Sequence, residues 1–495
     1  MAHGDNAPSV SQRDDPPDPS RHPSPPSAIT KYLCAAAYLD PDFASAVLAQ
    51  VLEERHRFVA PSYGVDVPAV MRHCLAARRR EQTLQAVLAA LIVIALFRFI
   101  ATGGRIGGPV FLFLVAWGAV VGETLYRRHA IVANRIARDD LDLDHLERGQ
   151  TAHNERIAEL AEAQREGNVT VYGGYSPFVG SGIAADGWSF VLDLRKRVPH
   201  GILAKDEPFV LDLIELHDYV AAGIGKLDLA GLTVEDRLFV NGQDIGDDAR
   251  FLPDRLHARP VSRVDDDLVR SHVGEQTHSV RHYLSARVID WHGELVVSVY
   301  LRFLAVSGDL FAEANYFVLP GLKLGYQTID AINPTPSVRQ VMHLLAESLR
   351  RTPKASLKAP SATVAWLLSP LQQQSSKRAA EREIRENRAF NYGAHASVRE
   401  LAMSSGFRKY FQKVDKDMYL KVLERRILDL VVTFFDDRGI DTSELRERRN
   451  TIVNYGVMMS GGIVRAGSLA VGPNASAVQR VADRVQGATS GGSDG

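Results

Sequence analysis

Cysteine is scarce, with only Cys34 and Cys74 among 495 residues. That excludes a disulfide framework and fits reduced, packed thiols in a cytosol-facing segment. No charge of one sign prevails either. The 58 Lys and Arg balance 59 Asp and Glu to a net −1, which argues against a dedicated nucleic-acid binder. Metal-ligand spacing is missing: His217, His272, His278, His282 and His292 form no H-E-x-x-H. Each reads as a surface or hydrogen-bonded core histidine, and neither metal nor cofactor is expected. The acidic clusters Asp139-Asp140, Asp247-Asp248 and Asp265-Asp266-Asp267 lack the spacing of a calcium loop. A secretory leader is not expected, because Met1–Ala28 is rich in Pro, Ser and Asp and reads as a disordered arm.

Long apolar runs are also rare, and the two that exist lie side by side. Gln82–Ala101 and Ile106–Leu125 are each about twenty residues, enough to cross a ~30 Å hydrocarbon core. Glycine-rich Thr102–Gly108, with Arg105, joins them. Both runs are apolar on all sides, which favours lipid over a soluble core. Arg78, Arg79 and Arg80 precede the pair, and Arg127 and Arg128 follow it. The sequence therefore predicts a two-helix transmembrane hairpin in the inner or plasma membrane, with both termini cytoplasmic. Ala86 and Ala90, and Gly118 and Gly122, repeat at the spacing that lets helix backbones approach. They are expected to pack the hairpin or to join two copies of it. No acidic or histidine residue lies mid-span, which disfavours a transporter or channel.

Around the hairpin (82–125) the periodicity predicts an α+β cytoplasmic domain with an antiparallel meander, flanked by helical units. Residues 29–81 read as a small helical unit and 126–168 as a charged helical stalk. The α+β domain covers 169–333. Its meander is Val280–Asp290, Leu295–Leu304 and Asp309–Leu319, whose alternate residues share a face. Asp206-Glu-Pro208 is expected to open the helix that backs it. Residues 334–393 read as an amphipathic helix with a Val338, Val341, Met342, Leu345, Leu349 stripe, a basic linker and a charged helix. Within them Val364–Leu371 is too short to span and could rest on an anionic bilayer. A helical unit fills 394–450, and 451–495 is a glycine- and serine-rich tail.

Tyr172–Gly187 is the loop with most chemical interest. Gly180, Gly182 and Ala185 fit G-x-G-x-x-A, but Trp188–Leu192 reads as a strand, where a dinucleotide loop requires a helix N-terminus. Ser176 and Ser181 do not complete G-x-S-x-G. A structural turn with positive φ is favoured. Gly173, Gly174, Ser176, Gly180, Ser181 and Gly182 remain the candidate ligand-binding residues.

Several stretches carry a resemblance. They are Tyr32-Leu-Cys-Ala-Ala-Ala-Tyr-Leu-Asp40, Pro61-Ser-Tyr-Gly-Val-Asp66, Tyr175-Ser-Pro-Phe-Val-Gly-Ser-Gly182, Gly231-Leu-Thr-Val-Glu-Asp-Arg-Leu-Phe-Val-Asn-Gly242 and Tyr410-Phe-Gln-Lys-Val-Asp415. Met418-Tyr-Leu-Lys421 and Gly439-Ile-Asp-Thr-Ser-Glu444 add to them. Through these the chain resembles a group of uncharacterised two-span actinomycete membrane proteins. The resemblance implies membrane location and brings no catalytic residue. The resulting expectation is a membrane-anchored scaffold or signalling protein without catalysis. Its partners would be the bilayer, a second copy through the hairpin, and a cytoplasmic protein. The alternative is a membrane-tethered enzyme or nucleotide sensor using residues 172–187.

Overall fold

A computed structural model describes residues 27–447, apart from 104–105, 139, 142, 149–150, 198–208, 256 and 334. The N-terminal arm, Arg105 of the hinge, Asp206–Pro208 and the tail from 451 lie outside the described residues.

Helices begin where a side chain can satisfy their free amides. Ser27 caps α1 (Ala28–Leu39), and Asp40 caps α2 (Pro41–Leu48). Asp66 accepts from Ala69 N to open α3 (Val67–Ala101), a 35-residue helix running unbroken from the N-terminal unit through the first apolar run. The chain returns along it as α4 (Gly107–Leu125), with Glu81 3.8 Å from Arg127 and the Arg80 guanidinium over the Tyr126 ring. These two helices are long and apolar enough to cross a membrane, with only 6% and 11% of their apolar windows buried in protein.

The charged stretch expected as a stalk folds back instead. It contains α5 (Leu143–Arg148) and α6 (Thr151–Glu166). Ile157 and Leu160 of α6 enter the core of the N-terminal unit with Leu33, Val70 and Met71. Gln164 of α6 accepts from Ser62 N at 2.9 Å and donates to Ala60 O at 3.3 Å.

Six strands make one mixed sheet: β1 (Val169–Tyr172), β2 (Ile183–Asp193), β3 (Leu232–Asn241), β4 (Val280–Asp290), β5 (Leu295–Val306) and β6 (Asp309–Leu319). The spatial order is β1-β3-β4-β5-β6-β2. The predicted meander is β4–β5–β6, and β3 extends it antiparallel to β4, while β1 pairs in parallel with β3. One face carries Val288, Val297, Val299, Leu301 and Ala312, covered by α7 (Leu213–Gly225) and α12 (Tyr410–Asp436). The start of α7 is Asp212, whose carboxylate accepts from Ile214 N and Glu215 N. The other face carries Phe239, Tyr283, Tyr300 and Phe317, all packed against Phe178 of the glycine loop.

Short α9 (Leu324–Gln327) and α11 (Val398–Ala402) join the core of the N-terminal unit through Tyr326, Val398 and Ala402, and α8 (Asp266–Ser271) packs Val269 with Leu238 and Val240 of β3. Residues 334–393 depart most from expectation. In place of helix, linker and helix there is one 49-residue helix, α10 (Val338–Glu386), started by a Ser337–Gln340 capping box and running through Pro353, Pro360 and Pro370. Proline normally interrupts a helix. Here packing overrides it: Ala359 is buried against Leu88 of α3 and Ala116 and Val120 of α4, with Ala355 alongside. Of the predicted stripe, Val338, Met342 and Leu349 are exposed and Val341 and Leu345 half-buried, while the buried residues are Leu344, Ser348, Thr352, Ala359 and Ile384.

Candidate functional site

The glycine loop binds its own chain. Gly180 N and Gly182 N donate to Glu400 Oε1 at 2.9 and 3.0 Å. Glu400 Oε2 accepts from Ser397 N at 2.8 Å, and Ser397 Oγ accepts from Glu400 N, so one carboxylate both caps α11 and fills the loop. Gly180 and Gly182 have φ of +95° and +90°, as expected for a positive-φ turn. A Cβ at Gly180 would lie 2.4 Å from Pro61 O, and one at Gly182 2.6 Å from Val318 O. Ser181 Oγ is 2.6 Å from Tyr300 Oη in the aromatic core. Gly173 lies apart from these, its carbonyl accepting from Asn391 Nδ2 at 2.7 Å. Gly174 and Ser176 are exposed. The six candidate residues therefore divide into a trio held by Glu400 and Tyr300, with Gly180 and Ser181 buried and Gly182 half-buried, a second junction at Gly173, and two surface positions.

Beneath the loop lies an ionic cluster of two buried arginines, Arg237 and Arg287, and one partly exposed carboxylate, Glu235. Glu235 Oε1 accepts from Arg237 at 3.0 Å and from Arg287 at 2.7 Å. Burial opposes the charge of Glu235, but Arg237 and Arg287 outweigh it and hold its pKa below the ordinary value. Arg287 also lies 3.4 Å from the centroid of the Tyr63 ring.

On the opposite face, α7, β3 and β4 bring together three residues that sequence spacing does not connect. Asp236 Oδ1 is 2.7 Å from His217 Nε2 and 3.1 Å from His282 Nε2. Both imidazoles are buried, and the carboxylate is about one-third exposed. His217 and His282 were expected as separate surface or core histidines. They converge because α7 lies over β3 and β4, and because Asp236 and His282 are diagonal neighbours on one face of that antiparallel pair, Asp236 opposite Leu284 and His282 opposite Leu238. The one signal in sequence is parity: Asp236 is a polar residue on the same strand face as the apolar Val234 and Leu238.

A cavity of about 600 Å³ opens where α3 and α4 meet the N-terminal unit. Arg79, Arg80 and Arg135 line it together with the acidic Glu123 and Asp140, and Val87 and Ala119 continue the wall along the apolar helices. The small-residue pairs lie elsewhere. Gly118 and Gly122 face open space, Ala90 is exposed and Ala86 is half-buried. Contact inside the helical layer falls to Leu84, Leu88, Leu91, Ala116 and Val120.

No curated protein matches the chain, and no solved structure does. A family model for an AbeC-like domain matches residues 187–467, from the middle of β2 through the meander, α10 and α12. The chain belongs to the AbeC-like domain family.

Proposed function

We propose that the chain is a membrane-anchored interaction protein without catalytic activity. The helices α3, α4 and α10 form the embedded layer, and the sheet domain with α12 displays a partner surface on the cytoplasmic side. The observation that carries the anchor is an inverted packing pattern. Ser348, Thr352, Ala355 and Ala359 of α10 turn toward the protein, whereas Leu357, Val364, Leu367, Leu368 and Leu371 turn outward. Phe97, Ile100, Phe111 and Leu114 of the hairpin face outward too. Small residues inside and bulky apolar residues outside suit a helix solvated by lipid. Arg350, Arg351, Lys354 and Lys358 precede the uncharged stretch 359–376 and match an anionic surface.

Interaction is favoured over nucleotide sensing because Glu400 already occupies the loop amides that a phosphate would use. A free apolar face supports it further. Tyr410, Phe411, Val414 and Met418 are exposed along one side of α12, flanked by Lys413 and Lys421. That surface suits an acidic amphipathic segment of a protein partner.

Two experiments on the full-length chain test the reading. Carbonate washing of membranes should leave the protein embedded, and release into the wash overturns the anchor. A photocrosslinker placed at Phe411 should yield one discrete protein adduct that Val414→Asp abolishes. The absence of any adduct, with a nucleotide-specific rise in melting temperature, would favour the sensor reading.

A further inference from the structure

We infer that His217, Asp236 and His282 form a transition-metal site, with Zn²⁺ as the ion best suited to it. The inference is independent of membrane anchoring. One donor atom from each residue lies within 4.8 Å of the other two. Two imidazole nitrogens and one carboxylate oxygen are a donor set for Zn²⁺ and neighbouring first-row dications, whereas Ca²⁺ and Mg²⁺ prefer oxygen ligands throughout.

The two Nε2–Oδ1 separations, 2.7 and 3.1 Å, are hydrogen-bond lengths. Donors around a tetrahedral ion at about 2.1 Å stand roughly 3.4 Å apart. Opening the two contacts by about 0.7 and 0.3 Å therefore makes room for the ion, within the reach of side-chain rotation. Each imidazole must then carry its proton on Nδ1, so that the Nε2 lone pair faces the metal.

The surroundings tolerate the added charge. Arg270 is the nearby cation, and Asp218 already holds it in a bidentate pair at 2.8 and 3.2 Å. The ion would add its positive charge to the carboxylate of Asp236, which has no guanidinium hydrogen-bonded to it among the contacts described. Partial exposure of Asp236 leaves a path for the ion and for a water in the remaining coordination position. Three protein ligands with an open position differ from the closed four-ligand set of a structural zinc site. His217 Nδ1 has no hydrogen-bond partner, so the outer support of that ligand is thin. Both features point to an exchangeable ion. Its effect would be to tie α7 to β3 and β4, on the face opposite the Glu400-bound loop.

The test uses the full-length protein in detergent, stripped with a chelator and dialysed. Titration with ZnCl₂ should show one saturable site and a rise in melting temperature. Co²⁺ in its place should give the visible absorption of a tetrahedral nitrogen and oxygen site. His282→Gln and Asp236→Asn should each weaken Zn²⁺ binding more than about tenfold, the scale that even outer-shell losses reach. His278→Gln, outside the cluster, should bind as wild type. Equal binding by wild type and both cluster variants, or a Co²⁺ spectrum of octahedral aqueous type in the wild type, overturns the proposal. The Co²⁺ spectrum needs no variant, so it decides the matter even if a cluster substitution fails to fold.

Discussion

The guanidinium of Arg287 lies 3.4 Å from the centroid of the Tyr63 ring, joining the N-terminal helical unit to the middle of the sheet. Arg287 is buried, and its charge is shared with Glu235 and, through it, Arg237. Tyr63 is the lid on that cluster. Tyr63→Ala should destabilise the protein by ~2 kcal/mol, because the cation–π contact on the buried Arg287 guanidinium is lost. Tyr63→Phe should cost much less, since the ring remains. Thermal melts of the full-length chain separate the two, and equal losses would show that the hydroxyl carries the contact instead.

Glu400 gives a second, sharper case. Glu400→Ala removes the acceptor of Gly180 N and Gly182 N and half of the α11 capping box. A loss of about 2–4 kcal/mol is expected from two amides left without their acceptor in a partly buried site and from the weakened capping box. Glu400→Gln keeps an acceptor and should retain much of that stability. Inorganic phosphate or nucleotides added to Glu400→Ala should not restore the melting temperature. Restoration by one nucleotide would identify the loop as a ligand site whose occupant Glu400 imitates.

How much of this was legible in the sequence follows from the range of each interaction. The strand Val280–Asp290 and the turn at Gly180 and Gly182 rest on local alternation and local φ, so they could be read directly. The course of α10 could not. Pro353 argues for a break, and only the distant side chains Leu88, Ala116 and Val120 show why the helix persists. Equally, His217 and His282 stand 65 positions apart, and no spacing rule reaches across a helix and two strands to join them. Glu400 carries no local signal of its hold on Gly180 and Gly182, which lie more than 200 positions away and meet it only in the folded chain.

Glu424 offers a pH-dependent test. It is buried on α12 and accepts from Tyr316 Oη at 3.2 Å. Burial raises its pKa above the ordinary carboxylate value, against the smaller opposing effects of Tyr316 and Lys421. The folded state therefore holds this proton more tightly than the unfolded chain. Its contribution to stability is fully present below the unfolded pKa of about 4.3 and is lost as pH rises through the folded pKa. Glu424→Gln, which stays neutral, should be more stable than wild type at neutral pH, by on the order of 1 kcal/mol. The advantage should shrink as the pH is lowered toward 4. An advantage that is constant with pH would mean that packing, and not ionisation, sets the difference.

The last test concerns the helical layer, where two substitutions of similar size should behave in opposite ways. Ala359 is fully buried between α3 and α4, so Ala359→Leu forces added volume into a filled contact. Overpacking of this kind costs about 1–3 kcal/mol and should loosen α10 from the hairpin. A Cβ built at Gly122 meets nothing within 4 Å, so Gly122→Leu leaves the folded protomer undisturbed and its melting temperature unchanged or slightly raised. The exposed Gly118–Gly122 face is, however, the one small-residue surface on α4 that no helix of the same chain covers among the described residues. If two copies meet through it, Gly122→Leu separates them without unfolding either, because close backbone approach is what the glycines permit. Crosslinking in bilayers reads this directly. Loss of the dimer with an unchanged melt places the contact at Gly122, whereas an unaltered crosslink assigns the glycine face to lipid alone.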